Sequence, residues 1–281
     1  MNVIKKIFYF ILHCLIGVEI LILITAFPIL FQNLPFNLTD YLHAVSDLNI
    51  KLFTIGEFKI DGKNSLFPII LVRYIESMKL FGLGLLLACS IAVFVSYLTF
   101  FFFKNKMHWV KNLLKAAESI PDLMLILLLQ LSVIIIFKKT GIKLAQVVSV
   151  REKAVLLPVI CLGVPISFYV TRILILHIEE ELEKNYILQA KAKGLKFSYI
   201  LNVHVIRNII ESMFGSSKTV FWSMLSTLLV IDYLFNLNGL SRTMLLGPDP
   251  FIIGCLLIFV PLFILYRVYE WVSFSNRKDN R

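Results

Sequence analysis

Charge is what this sequence has least of: of 281 residues only 16% are charged, against 58% hydrophobic and 13% aromatic. So little polar material cannot clothe a soluble domain, and the apolar residues come in long runs rather than in the stripes of a half-buried surface. Mean hydropathy is +0.83, so the chain reads as a membrane protein. Glycine and proline are too few for a collagen-like or low-complexity chain, with 12 and 9 residues. The four cysteines, Cys14, Cys89, Cys161 and Cys255, fall in four different apolar runs without redox or metal-ligand spacing, which argues against a disulfide scaffold and for free buried thiols. No G-x-x-x-x-G-K-[ST] phosphate loop occurs anywhere. No serine, cysteine or aspartate nucleophile has a neighbouring base, and His13, His43, His108, His177 and His204 form no cluster.

What is present is hydrocarbon in membrane-length pieces. A bilayer core about 30 Å thick is crossed by about 20 helical residues. Six segments qualify, at about 7–30, 80–103, 119–137, 154–176, 219–235 and 251–272. A spanning segment must satisfy its own backbone, and period-two alternation is absent, so these are helices rather than barrel strands. The expected fold is all-α: one polytopic transmembrane domain over residues 1–281, with six spans, an external loop at 31–79 and a cytoplasmic loop at 177–218. The first run is about 24 residues long and lacks a small-x-small cleavage site, so it is expected to span and stay rather than to be removed.

Net charge is +10, from 28 Lys and Arg against 18 Asp and Glu. These bases sit mostly in short connectors, where they set orientation; no nucleic-acid partner is implied. Lys5, Lys6, Lys104, Lys106, Lys111, Lys115, the 184–218 group and Arg277, Lys278 and Arg281 outweigh those on the other side, so both termini are expected in the cytoplasm of a bacterial cell membrane. The stretch from Lys138 to Lys153 dissents, with five basic residues on the expected outer side. Asp61 and Gly62 punctuate the external loop as a turn.

The 177–218 connector carries the strongest signal. Glu179, Glu180, Glu181 and Glu183 read as a solvated helix start, where the helix dipole favours negative charge. Tyr186, Ala190 and Gly194 recur every four residues and so share one helical face, with bulk falling toward the glycine that ends the helix. A second helix is predicted from about Phe197 to Ile210, with Ile200, Val203, His204 and Arg207 on one face. Such a helix-glycine-helix hairpin suits a groove on another protein.

The run Tyr186-x3-Ala190-x-Ala192-Lys193-Gly194-Leu195, with His204 ten positions after the glycine and then Arg207-Asn208, resembles the cytoplasmic EAA loop of ABC importer permeases, in the form used by the dipeptide, oligopeptide and nickel family. Ser119-Ile120-Pro121, Leu157-Pro158 with Arg172, and Asp232-x-x-Phe235-x-x-x-Gly239-Leu240 resemble further signatures of that family. Leu188, Asn238 and Ser241 depart from the general pattern, as does the absence of the family's Pro-Gly-Asp-Pro and Asp-Pro-Arg stretches. The resemblance implies a permease subunit moving short peptides, nickel or a similar small solute by alternating access. Tyr186, Ala190, Ala192, Lys193, Gly194, Leu195, His204, Arg207 and Asn208 would form the loop that couples to cytoplasmic ABC ATPase subunits. It also implies that ATP and Mg²⁺ sit on those partners, that this chain binds no cofactor or metal and performs no catalysis, and that a second homologous permease and an extracytoplasmic substrate-binding protein complete the importer.

Other residues carry weaker readings. Glu19, in the middle of the first span, costs about 2.5–3.5 kcal/mol on insertion scales and so is either a pathway or helix-contact group, or a protonated acid bonded inside the bundle. Asp232 is read as a gating or packing group near the outer end of the fifth span. Phe100 to Phe103 read as an interfacial belt, and Gly82 and Gly84, two apart, do not form a helix-dimer motif. Two other classes stand as alternatives, a multispan enzyme acting on lipids and a self-powered secondary transporter; the first would need acidic or histidine clusters at a membrane face, the second internal inverted repeats.

Overall fold

In the computed structural model, residues 3–31, 37–54, 58–60, 64–149 and 153–279 are described, with only the backbone for 3–7, 64, 104 and 270–279. The turn at Asp61 and Gly62 and the basic residues Lys63, Arg151 and Arg281 lie outside this set, as do the side chains of Lys5, Lys6, Lys104, Arg277 and Lys278.

The fold is all-α. Eleven α-helices follow in order among the described residues: α1 (Val3–Ala26), α2 (Leu38–Phe53), α3 (Leu66–Phe102), α4 (Met107–Glu118), α5 (Asp122–Thr140), α6 (Leu156–Leu182), α7 (Asn185–Ala192), α8 (Phe197–Tyr199), α9 (Ile206–Leu234), α10 (Leu240–Met244) and α11 (Pro248–Asp279). Lys59–Ile60 and Asn64–Ser65 pair as a two-residue antiparallel ladder. Six of the helical stretches are long and apolar enough to cross a membrane: Phe8–Phe31, Leu66–Phe102, Asp122–Thr140, Leu156–Leu182, Phe197–Leu234 and Pro248–Tyr269. The chain is therefore a multi-pass membrane protein.

The helices outrun the apolar segments that announce them. Hydropathy places the start of the second span near residue 80, yet α3 starts at Leu66 and is 37 residues long, roughly 55 Å. Arg73, Glu76 and Lys79 end the hydropathy run without ending the helix, because backbone hydrogen bonding does not require apolar side chains. The helix that carries the expected fifth span likewise starts well before 219, in a continuous helical run from Phe197 with a π-helical turn at Ile200–Val205. The third opens with a break at Ser119–Pro121, after which α5 begins at Asp122. The connector before it is helical too: α4 turns Met107, Val110, Leu114 and Ala117 toward the protein at i, i+3, i+7, i+10 spacing.

The chain divides into two compact units, residues 1–76 with 238–281, and residues 77–237. In the first, Ile22, Leu48, Phe58, Leu66, Ile70, Leu240 and Ile252 form the core. Gly17 lies against Phe259, where a Cβ would come within 2.5 Å of the ring, and Lys51 pairs with Asp249 at 3.3 Å. The second unit has two apolar clusters. One holds Ala88, Ile126, Cys161, Leu162, Met224, Ile231 and Phe235. The other holds Phe100, Leu114, Ile175, Ile178, Ile187, Ala190, Leu201 and Val205, and it seats α7. Phe100 is thus a core residue rather than part of an interfacial belt, while Phe101, Phe102 and Phe103 are exposed. All four cysteines are free.

Candidate functional site

The knuckle between the fourth and fifth spans is short. α7 has eight residues, and Ile187 and Ala190 are buried on its inner side. Burying an isoleucine fully stabilises such a contact by about 1.5–3 kcal/mol. The helix closes with two backbone bonds: Gly194 N–H donates to Lys191 C=O at 3.0 Å and Leu195 N–H to Ala190 C=O at 3.3 Å. That pairing is the Schellman motif, and it requires the left-handed conformation that Gly194 adopts at φ +75°.

Several positions are arranged differently from the helical-face expectation. That expectation joins Tyr186 and Ala190 to Gly194 in one docking face; instead Ala190 is buried and Tyr186 half-buried against the chain itself, while Gly194 is exposed, and a Cβ placed on it would meet nothing within 4 Å. The glycine is required by backbone conformation, not by close approach within this chain. The surface that α7 turns outward carries Leu188, Lys191, Ala192, Lys193 and Leu195. On the following helix the π turn shifts the register by one residue, so Ile200, Leu201, Val205 and Ile209 point inward. Val203 and Arg207 are exposed, and His204 lies edge-on to the rings of Tyr186 and Tyr199, at 6.5 and 5.7 Å between centroids.

The glutamate run is at the opposite end of a helix from the one expected. Glu179, Glu180 and Glu181 occupy the last turn of α6, where the dipole disfavours negative charge. Specific partners offset this. Glu179 pairs with Lys111 of α4, and His177 Nδ1 lies 3.4 Å from Glu180. Glu181 is 5% exposed, far from a solvated group. Its carboxylate accepts from Lys184 Nζ at 2.6 Å, from Asn208 Nδ2 at 3.2 Å and from the Tyr186 hydroxyl. Burial, then the neighbouring Glu181 carboxylate, raise the Tyr186 phenol above its ordinary pKa. Asn208 Nδ2 also donates to Tyr186 Oη at 2.8 Å.

A second polar group lies where α4 breaks into α5. Arg172 Nε donates to Glu118 at 2.6 Å, with its guanidinium 5.6 Å from the Tyr169 ring centroid. Thr227 Oγ1 donates to Asp122 at 3.0 Å. Between them is a cleft of about 180 Å³ lined in part by Glu118, Asp122, Tyr169, Thr219 and Ser223. Asp122 and Thr227 had no signature in the sequence beyond an acid in the first turn of a helix.

Asp232 is 2% exposed in the last turn of α9, a buried position rather than a solvated one. Nearby, Ser149 N–H donates to Phe235 C=O at 2.9 Å and Asn236 Nδ2 to Ser149 C=O at 3.3 Å, which ties the preceding connector to the end of that helix. Glu19 is an exposed residue of α1 that accepts from Asn49 Nδ2 of α2 at 3.3 Å. Among the described residues no three His, Cys, Asp or Glu side chains converge as a metal site.

Residues 84–278 match the family of binding-protein-dependent transport system inner membrane components. The chain belongs to that family. The matched region takes in the second half of α3, all of α4 to α10 and nearly all of α11, hence the knuckle and both polar groups, while Glu19 lies outside it. Over 104 residues this permease-family member is 33% identical to the inner membrane ABC transporter permease protein YejB of Escherichia coli O157:H7. The aligned stretch covers 34% of the chain and only 28% of that relative.

Proposed function

We propose that this chain is one of two homologous permeases of a bacterial ATP-driven importer of the dipeptide, oligopeptide and nickel type. Both termini are in the cytoplasm, and solute passes by alternating access along the contact between the two permeases. An extracytoplasmic binding protein delivers short peptides, or a small solute such as nickel. ATP and Mg²⁺ bind to separate ATPase subunits, which grip the knuckle formed by α7 and the foot of the α8–α9 run.

The observation that carries this reading is the outward surface of α7. Leu188 and Leu195 are exposed apolar residues set among Lys191, Lys193 and Lys196, on a short glycine-capped helix directly between two membrane-crossing helices. An apolar pair ringed by cations is the pattern of an interface with an acidic-rimmed groove. Closure of a partner around that surface would move the inner ends of α6 and α9 together, through the buried Ile187 and Ala190.

Crosslinking through Ala192→Cys in cells that co-produce the ATPase subunits tests the assignment. Capture of an ATPase subunit is expected, and uptake should vanish when those subunits are deleted. Persistent uptake without them, or labelling of residue 192 by a membrane-impermeant reagent from outside intact cells, counts against it.

A further inference from the structure

Among the described residues of the knuckle, Glu181 is the nearly buried carboxylate, and it touches three separate pieces of chain. It belongs to the last turn of α6, Tyr186 to the first turn of α7, and Asn208 to the first turn of α9. The three side chains bond to one another in a closed ring. The Tyr186 hydroxyl gives its proton to Glu181 Oε1 and accepts from Asn208, whose two amide hydrogens go to Tyr186 Oη and to that same Oε1. Lys184 Nζ occupies Oε2 at 2.6 Å.

The apolar contacts of α7, made by Ile187 and Ala190, hold it against the chain but are non-directional. Hydrogen bonds to an ionised acceptor are short and geometrically specific. A closed triangle of them fixes the register of α7 against both flanking helices at once. The Tyr186 to His204 ring contact at 6.5 Å lies on the same side chain and extends the connection one turn toward the π segment.

We infer that Glu181 is a positioning residue: its carboxylate, with Tyr186 and Asn208, is the latch that turns a push on α7 into joint movement of the fourth and fifth spans. This inference rests on the proposed ATPase-driven role, and the test separates the two. Without the latch, α7 would still be seated and still reach its partner, but it would yield when pushed.

The experiment is hydrogen exchange read by mass spectrometry on the full-length chain, purified with its co-produced ATPase subunits, with and without ATP and vanadate. In Glu181→Ala, amides of residues 185–196 should exchange at least tenfold faster, and the ATP-dependent change in protection along α9 should fall several-fold while the subunits stay bound. Tyr186→Phe, which keeps the ring and its packing, should do the same to a lesser degree, and Glu181→Gln should recover part of the response. Unchanged protection of residues 185–196 in both Glu181→Ala and Tyr186→Phe overturns the latch. Loosening with a full ATP response in α9 overturns its part in transmission and leaves a purely structural bond. A wild-type chain with neither bound ATPase nor any ATP response overturns the underlying functional reading instead.

Discussion

Gly84 of α3 and Gly163 of α6 cross backbone to backbone: a Cβ at Gly163 would lie 2.8 Å from the Gly84 carbonyl oxygen, and one at Gly84 2.8 Å from Leu162 Cδ2. In lipid, helices gain little from burying apolar surface, so close van der Waals packing at small residues carries much of their association. The pair lets the second and fourth spans meet at a distance no side chain would allow, which holds the first of the two apolar clusters together.

Gly163→Ala should therefore destabilise the chain by about 1–3 kcal/mol, the usual cost of overpacking a filled site. Gly82→Ala is the control, since a Cβ there meets nothing within 4 Å. Thermal unfolding in detergent compares them, and equal midpoints for both would show that the crossing is looser than described.

Gly194 separates two effects on the knuckle. Gly194→Ala adds only a methyl group but forces an L-residue to φ +75°, at about 1–2 kcal/mol; Gly194→Asn, more tolerant of that conformation, should cost less. Gly194→Asp tolerates the backbone but puts negative charge on the outward surface, so it should leave membrane insertion intact while reducing the coupling of ATP hydrolysis to uptake. Full coupling in the aspartate variant would argue that this surface does not meet the ATPase.

Breaking the Glu118–Arg172 pair by Arg172→Ala should cost about 1–3 kcal/mol, because the remaining carboxylate is left part-buried without its cation. Glu118→Gln in the same chain should recover part of that loss. A double variant whose destabilisation equals the sum of the two single changes would mean the groups do not interact.

The Tyr186 phenol should remain protonated above its ordinary pKa, since burial and the Glu181 carboxylate both oppose phenolate formation. A proton held more tightly in the folded chain stabilises it below the unfolded phenol's pKa, and that contribution fades as pH rises through the folded value. The difference in phenolate absorbance between the wild type and Tyr186→Phe isolates this group. Titration at or below the free-tyrosine value would contradict the closed contact with Glu181.

Much of the architecture is legible without coordinates, because its causes are local. Long apolar runs in a solvent without hydrogen-bonding partners leave few choices but helices, and every expected span lies largely within a helix of the structure. The same logic misjudges the ends. At Arg73, Glu76 and Lys79, and again between Ile210 and Thr219, it reads polarity as termination, although a helix continues past the membrane wherever its backbone bonds do. The helical knuckle and its glycine are equally readable, since a run of helix formers ending at Gly194 has a known closing geometry. Which face of it points outward is not: that depends on α6 and the π turn at Ile200–Val205 packing against α7, with Ile187 and Ala190 buried between them, and on that same turn shifting the faces of the helix that follows.

Sequence alone determined the class of this molecule: an all-α, multi-pass protein with a glycine-ended knuckle between its fourth and fifth spans. These follow from composition and from periodicities of a few residues, over which neighbouring side chains meet whatever the rest of the chain does. Tertiary structure alone decided that Glu181 is buried rather than solvated, that it meets Tyr186 five positions on and Asn208 twenty-seven positions on, and that Gly84 faces Gly163. Neither separation is a helical repeat, so these partners become neighbours only once the helices have packed and removed the water that would otherwise have taken each group's hydrogen bonds.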